Sequence, residues 1–132
     1  MKQRTTNYYN TLIEVAEDCP VRFGEAPPDK EPKSVARQEY EMLVGHPYHY
    51  TSDEVIFAIK GKPKGLSREE FFTKGQPCLR ASALTKRYGW GVHSDDEGRI
   101  ALYAIDSPEY QRLAADPNVT HLQALHSGKK QV

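Results

Sequence analysis

The side chains that could do chemistry in this sequence lie close together between positions 74 and 103. The stretch reads KGQPCLRASALTKRYGWGVHSDDEGRIALY and contains a thiol at Cys78, an indole at Trp90 and an imidazole at His93. Residues 71–94 contain no acidic residue and four basic ones, which are Lys74, Arg80, Lys86 and Arg87. These residue types are typical of two kinds of site, an anion-binding surface and a nucleophilic centre.

Anion binding is the first hypothesis for this stretch. Arginine forks hold phosphate groups, and nucleic-acid bases stack on aromatic rings. We therefore predict a binding surface for a phosphorylated small molecule or a single-stranded nucleic acid. Its residues are Arg80, Lys86, Arg87, Trp90 and His93. The alternative is that these cations pair with the acidic residues elsewhere in the chain, such as Asp95, Asp96 and Glu97.

Cys78 and His93 support a second hypothesis, a cysteine- and histidine-dependent enzyme. Neighbouring cations favour the thiolate, which is the nucleophilic form of cysteine, and a histidine in contact with it would act as the base. The sequence does not say whether these two side chains meet, and an inert buried cysteine with a surface histidine is the alternative. A third hypothesis is a structural or protein-interaction domain without a binding pocket.

We predict neither a metal nor a cofactor. His46 and His49 in HPYHY have a spacing that can chelate a metal on a helix, but Pro47 and the surrounding turn argue against a helix there. The two cysteines do not form a CxxC pair, and no glycine-rich phosphate loop precedes a predicted helix.

The clearest structural signal is a β-hairpin over about 88–105. The segments RYGWGVHS and RIALYAID predict two strands, and DDEG predicts the turn between them. Strand alternation places the bulky side chains on the core face, and these are Tyr88, Trp90 and Val92. The other face carries Gly89, Gly91 and His93. Glycines at alternate positions indicate that another group approaches the backbone closely, either a helix or the Phe71–Phe72 pair, or else a ligand.

The remaining elements follow from capping and turn signals. YYNTLIEVAED predicts a strand, and 19–33, with four prolines, predicts a long loop. Helices are predicted over about 35–45 after Ser34, over 52–60 after Thr51, after Ser67 as far as Gly75, and from Ser107 to about 115. CLRAS predicts an edge strand, and VTHLQALH predicts a last helix.

These elements define an α+β fold. It has a small antiparallel sheet with four or five short helices packed mainly on one face. A chain of 132 residues has room for one hydrophobic core, so we predict a single domain over 1–132, with 1–7 and 127–132 frayed.

Composition excludes several classes of protein. The mean hydropathy is −0.72, which is typical of a polar globular protein. The net charge is zero, so no global field attracts nucleic acid or anionic lipid. No apolar run is long enough for a membrane span. The basic start MKQRTTNYYNTL is not followed by the apolar region of a signal peptide, so we expect a cytoplasmic protein with two reduced thiols, Cys19 and Cys78.

Three segments carry a resemblance to a known family. NYYNTLIEVAEDCP (7–20), HPYHYTSDEVIF (46–57) and the stretch at 74–103 resemble a family of short bacterial proteins classed as a domain of unknown function. The resemblance spans nearly the whole chain. It implies a bacterial, cytoplasmic, single-domain protein, and it assigns no catalytic residue.

Overall fold

The computed structural model describes residues 4–126. Its strands are β1 (Thr11–Glu14), β2 (Tyr50–Thr51), β3 (Trp90–Ser94), β4 (Arg99–Ala104) and β5 (Thr120–Gln123). Its helices are α1 (Val35–Leu43), α2 (Ser52–Ile56), α3 (Arg68–Phe72), α4 (Ala83–Lys86) and α5 (Pro108–Ala114). The predicted α+β class is confirmed.

The five strands form one sheet in the order β2-β4-β3-β1-β5. Each neighbouring pair is antiparallel except β1 and β5, which run parallel with Ile13 opposite Leu122. The sheet is therefore mixed and not purely antiparallel as predicted. The parallel strand, β5, lies in VTHLQALH, for which a helix was predicted. The apolar spacing of that segment suits a helix, but pairing with the free edge of β1 satisfies its backbone in the extended form instead.

The helix starts follow the capping signals. Ser34 and Ser107 accept hydrogen bonds from the amides of Arg37 and Tyr110, and complete capping boxes begin α2 and α3. The predicted edge strand CLRAS is wrong, because Leu79–Ala81 is a 3-10 turn that leads into α4. The loop over 19–33 contains no helix or strand, as predicted.

The predicted helix over 52–60 changes its winding halfway. After α2 the chain forms a π turn over Phe57–Gly61 and then a 3-10 turn over Lys62–Lys64. Gly61 lies where an added Cβ would stand 2.7 Å from Cδ1 of Phe57 and 2.9 Å from Cδ1 of Phe71. Glycine at this position therefore lets the wound segment pack directly against α3.

Most of the helices pack on one face of the sheet, as predicted. The ring of Tyr40 in α1 lies edge-on to Trp90, with the ring centroids 5.7 Å apart, and α4 packs on β3. The buried core on this side includes Ile13, Val92 and Ile100. The opposite face carries α5, which packs on β1 and β4.

The hairpin differs from its prediction in two respects. β3 begins at Trp90, so Tyr88 lies before the strand, and Gly89 adopts φ 80° in the turn that leads into it. Val92 is fully buried, as predicted, whereas Trp90 is only half-buried. The indole reaches the edge of the core, where its Nε1 donates a hydrogen bond of 2.9 Å to the carbonyl oxygen of Glu25.

The segment at 4–7, which was predicted to fray, is held by α2. The backbone amide of Thr6 and its hydroxyl both donate to Oδ1 of Asp53 at 2.7 Å, and the Thr5 hydroxyl donates to Oδ2. The predicted fraying of 1–3 and 127–132 lies outside the described residues. Within 4–126, no helix is both long and apolar enough to cross a membrane.

Candidate functional site

The face of β3 that carries glycine is covered by protein. A Cβ on Gly91 would lie 2.4 Å from Cε2 of Tyr110 and 3.3 Å from the carbonyl oxygen of Ile13. Tyr110 is itself buried, and its hydroxyl accepts a hydrogen bond from the amide of Val15 at 3.0 Å. The close approach that the sequence predicted is therefore made by α5. It is made neither by Phe71–Phe72 nor by a ligand.

His93 lies on this same face, beside Gly91, in a chain of phenol groups. The Tyr48 hydroxyl lies 2.7 Å from Nδ1 of His93 and 3.0 Å from the hydroxyl of Tyr103. Burial lowers the pKa of His93, although the nearby carboxylates of Asp95, Asp116 and Asp96 oppose that shift. Burial is also the main cause that raises the pKa of Tyr48. The group is a packed polar network that joins the HPYHY turn to the hairpin.

Cys78 and His93 do not form the predicted catalytic pair. The Cys78 sulfur lies 3.3 Å from the hydroxyl of Tyr8, and His93 is bonded to Tyr48. Cys78 precedes the 3-10 turn on the side of α1 and α4, whereas His93 lies on the sheet face that carries α5. A histidine base is therefore not in place for this thiol. Cys19 and Cys78 are both free thiols, and Cys19 is buried.

The predicted anion-binding residues are not gathered in one place. Arg80 is tied to the end of β5, because its Nε donates to the carbonyl oxygen of Gln123 at 2.8 Å and its own carbonyl accepts from the amide of Leu125. Trp90 and His93 point to opposite faces of β3. Lys86 is half-buried at the end of α4, and Arg87 is exposed beside it. Ligand binding by Lys86 and Arg87 stays a prediction.

A cleft lies between the π turn and α3. Its volume is about 460 Å³, which is within the range of small-molecule sites. Three lysines line it, and they are Lys60, Lys64 and Lys74. Its apolar wall is formed by Ile59, Pro63, Leu66 and Phe71. One acidic residue, Glu70, also lines it, and the Glu70 carboxylate accepts a hydrogen bond from the amide of Ser67 at the start of α3.

None of the three cleft lysines forms an ion pair within the described part of the chain. The ion pairs there involve Lys33, Arg37, Arg99 and His121, and none of them reaches the cleft. Three ammonium groups around one concave surface repel one another and attract anions. The π turn helps to produce this arrangement, because its wider winding sets the positions of Ile59 and Lys60.

A smaller cavity of about 220 Å³ adjoins the cleft and shares Lys60 with it. Its polar lining also includes Cys78, Ser82 and Glu39. Glu39 is only 3% exposed, and its Oε1 accepts a hydrogen bond of 2.6 Å from the Ser82 hydroxyl. Burial raises the pKa of this carboxyl, against the opposing effects of Ser82 and Lys60.

Two features of the sequence relate to this site, although neither is specific enough to predict it. Lys60 and Lys64 lie in the tract KGKPKG, whose glycines and proline are typical of a turn. Glu39 is three residues after buried Ala36 and four before buried Leu43, so it occupies the buried stripe of α1. A carboxyl at such a position is rare unless it is paired. Among residues 4–126, no group of three or more histidine, cysteine or acidic side chains could hold a metal.

The fold and the cleft together define a small α+β protein with a basic cavity of ligand size beside its helical layer. The chain belongs to a family of unknown function, DUF6157, whose model matches residues 3–130. This match confirms membership of a family without an assigned activity. Comparison with curated proteins and with solved structures gives no match to the chain.

Proposed function

We propose that this protein is a small binding module for an anionic ligand, which it holds in the cleft of Lys60, Lys64 and Lys74. The observation that supports this most directly is the presence of three ammonium groups around one cavity without an ion pair among the described residues. Cations outside the cleft such as Lys62 and Arg112 also form no ion pair among the described residues, so it is the convergence of three lysines on one concave surface that distinguishes the cleft. Lysine binds phosphate as a point charge, so the cleft suits a phosphorylated group.

The shape of the cleft favours a phosphorylated small molecule over a single-stranded nucleic acid. Strand-binding surfaces place exposed aromatic rings along a basic groove, so that successive bases stack. Trp90 instead packs against Tyr40 and donates to the Glu25 carbonyl. The aromatic residue that lines the cleft, Phe71, is 5% exposed. The cleft therefore offers a charged pocket with an apolar wall, without a row of stacking platforms.

The test is a calorimetric titration of inorganic pyrophosphate and ribose 5-phosphate into wild type, Lys64→Ala and Lys62→Ala. Lys62 is an exposed lysine two residues from Lys64 that does not line the cleft, so it is a matched control. We expect Lys64→Ala to weaken binding about tenfold, since an interaction with a charged group is worth roughly 1.5–3 kcal/mol. Lys62→Ala should change affinity less than twofold. The affinity should also fall as salt rises.

Two results would contradict the proposal. One is the absence of binding of both anions to wild type at low salt. The other is an equal loss of affinity in the two variants, which would indicate a diffuse charge effect with no defined cleft. A cytoplasmic location in a bacterium stays a prediction, and the two free thiols are what a reducing compartment would maintain.

A further inference from the structure

The smaller cavity contains a buried carboxyl group, Glu39, that uses only one of its two oxygens within the described part of the protein. Only Oε1 of Glu39 has a hydrogen-bond partner, the Ser82 hydroxyl, within the described residues. Every fully enclosed side-chain nitrogen or oxygen in the described part of the protein has a hydrogen-bond partner. Oε2 of Glu39 has no such partner there, so it is not fully enclosed. The second oxygen is therefore open to the cavity that Glu39 lines.

Desolvating a carboxyl group is costly unless a partner compensates for it. Lys60 lines the same cavity, but it does not come within salt-bridge distance of Glu39. The cavity is thus lined by a lysine and a carboxyl group that do not form an ion pair with each other. A ligand with one anionic and one cationic end matches this pair, because its anion meets Lys60 and its cation meets Glu39.

We propose that the ligand is an amino compound that carries a phosphate or similar anion, with its anionic end in the lysine cleft and its ammonium group on Oε2 of Glu39. This inference rests on the proposed function, since Lys60 is the wall that the two cavities share. The Ser82 hydroxyl orients the carboxyl by holding its other oxygen. Glu39 is then a specificity determinant, which selects amines among anionic ligands.

The experiment compares two matched pairs of ligands on the same protein. Aminoethyl phosphate is compared with ethyl phosphate, and aminopropyl phosphate with propyl phosphate, by calorimetry at pH 7.5 on wild type and Glu39→Gln. We expect the better of the two amines to bind wild type at least about tenfold more tightly than its alkyl counterpart, since a buried charge-assisted hydrogen bond is roughly twice as strong as a neutral one. Glu39→Gln should abolish that advantage and leave the binding of the alkyl phosphates within about twofold.

The rate at which the Cys78 thiol is alkylated gives an independent test of where the ligand binds. Cys78 lines the cavity and is partly exposed, whereas Cys19 is 5% exposed, so iodoacetamide should label only Cys78 in the native protein. We expect saturating aminoalkyl phosphate to slow that labelling at least about fivefold. Labelling of Cys78 at an unchanged rate in the saturated protein would overturn the placement of the ligand in this cavity.

The outcomes separate this inference from the proposed function. Equal binding of the amino and alkyl phosphates to wild type would overturn the inference and leave the lysine cleft in place. Binding of none of the four ligands would count against both. An amine advantage that persists in Glu39→Gln would assign the cation to another residue and overturn the role of Glu39. The wild-type comparison and the Cys78 labelling need no variant, so equal binding or unchanged labelling overturns the inference even if Glu39→Gln does not fold.

Discussion

The glycine face of the hairpin and the lysine cleft differ in whether the protein itself fills and pairs them. On the hairpin, the space above Gly91 is filled by Tyr110, and His93 is bonded within a chain of phenol groups. In the cleft three lysines form no ion pair, and beside it Glu39 has one carboxyl oxygen without a partner, both within residues 4–126. On the first surface the protein fills the space and pairs the polar groups. On the second, the space and the charges are available to the ligand that we propose.

The comparison shows which kinds of evidence point to a ligand. A bare glycine face indicates only that something approaches the backbone, and here α5 does so. A buried carboxyl group that keeps one oxygen without a partner among the described residues carries more information, because burying a polar group without compensation is costly.

The largest expected effect is at Gly91. Gly91→Ala would place a Cβ 2.4 Å from the buried ring of Tyr110, which cannot move aside easily because its hydroxyl is bonded to the Val15 amide. We expect a loss of about 2–3 kcal/mol in the free energy of unfolding, as is usual for overpacking. The measurement is urea denaturation.

Gly75→Ala is the matched control for that substitution. A Cβ on Gly75 would meet only the end of the Arg4 side chain, with Nη1 at 3.4 Å. We expect a change of less than about 0.5 kcal/mol, as at ordinary surface positions. Equal stabilities of the two variants would show that α5 does not cover Gly91, and the glycine face would again be available to a ligand.

A smaller effect, an increase in stability, is expected from Glu39→Gln. Its pKa in the folded state is raised above the ordinary value of 4.5 by burial. The stability that this carboxyl contributes is therefore fully present below pH 4.5 and is lost as the pH rises through its folded pKa. Glu39→Gln removes this loss and keeps an acceptor for Ser82, so at pH 7.5 we expect a gain of roughly 0.5–2 kcal/mol.

The measurement is the melting temperature of wild type and Glu39→Gln between pH 4 and 8. Glu41→Gln is the control on the same helix. The pKa of Glu41 is lowered by its hydrogen bonds to Lys33 and Arg37, so its loss should slightly decrease stability at pH 7.5. His93 makes wild type less stable as the pH falls below 6.5, because its folded pKa is lowered, and this effect is common to both variants. A Glu39→Gln protein that melts below wild type at pH 7.5 would show that the carboxylate is needed by the fold.

Much of the fold was predictable because its signals are local. The caps at Ser34, Thr51, Ser67 and Ser107 fixed the starts of four helices, and the DDEG turn fixed the hairpin. β5 was missed because its apolar residues have a helical spacing, and only pairing with β1, more than a hundred residues earlier, makes it a strand. The long-range partner outweighed the local pattern.

The candidate site was less predictable than the fold. The π turn and the packing of α3 bring Lys60 and Lys64 to the same cleft as Lys74, and no spacing in the sequence specifies that convergence. The acid-free stretch at 71–94 did include Lys74, but none of its other basic residues lines the cleft. Arg80, for example, is bonded to the carbonyl oxygen of Gln123. Glu39 could have been noticed, because it occupies the buried stripe of α1.

The central claim is that the lysine cleft, and not the hairpin, receives the ligand. The most direct measurement is a titration of ¹⁵N-labelled protein with inorganic pyrophosphate, followed by the backbone amide shifts. We predict saturable shifts at Ile59, Leu66 and Gln76, which line the cleft, with Gly91 and His93 unchanged. Saturable shifts centred on Gly91, His93 and Tyr103, with the amides of the cleft unchanged, would contradict the account.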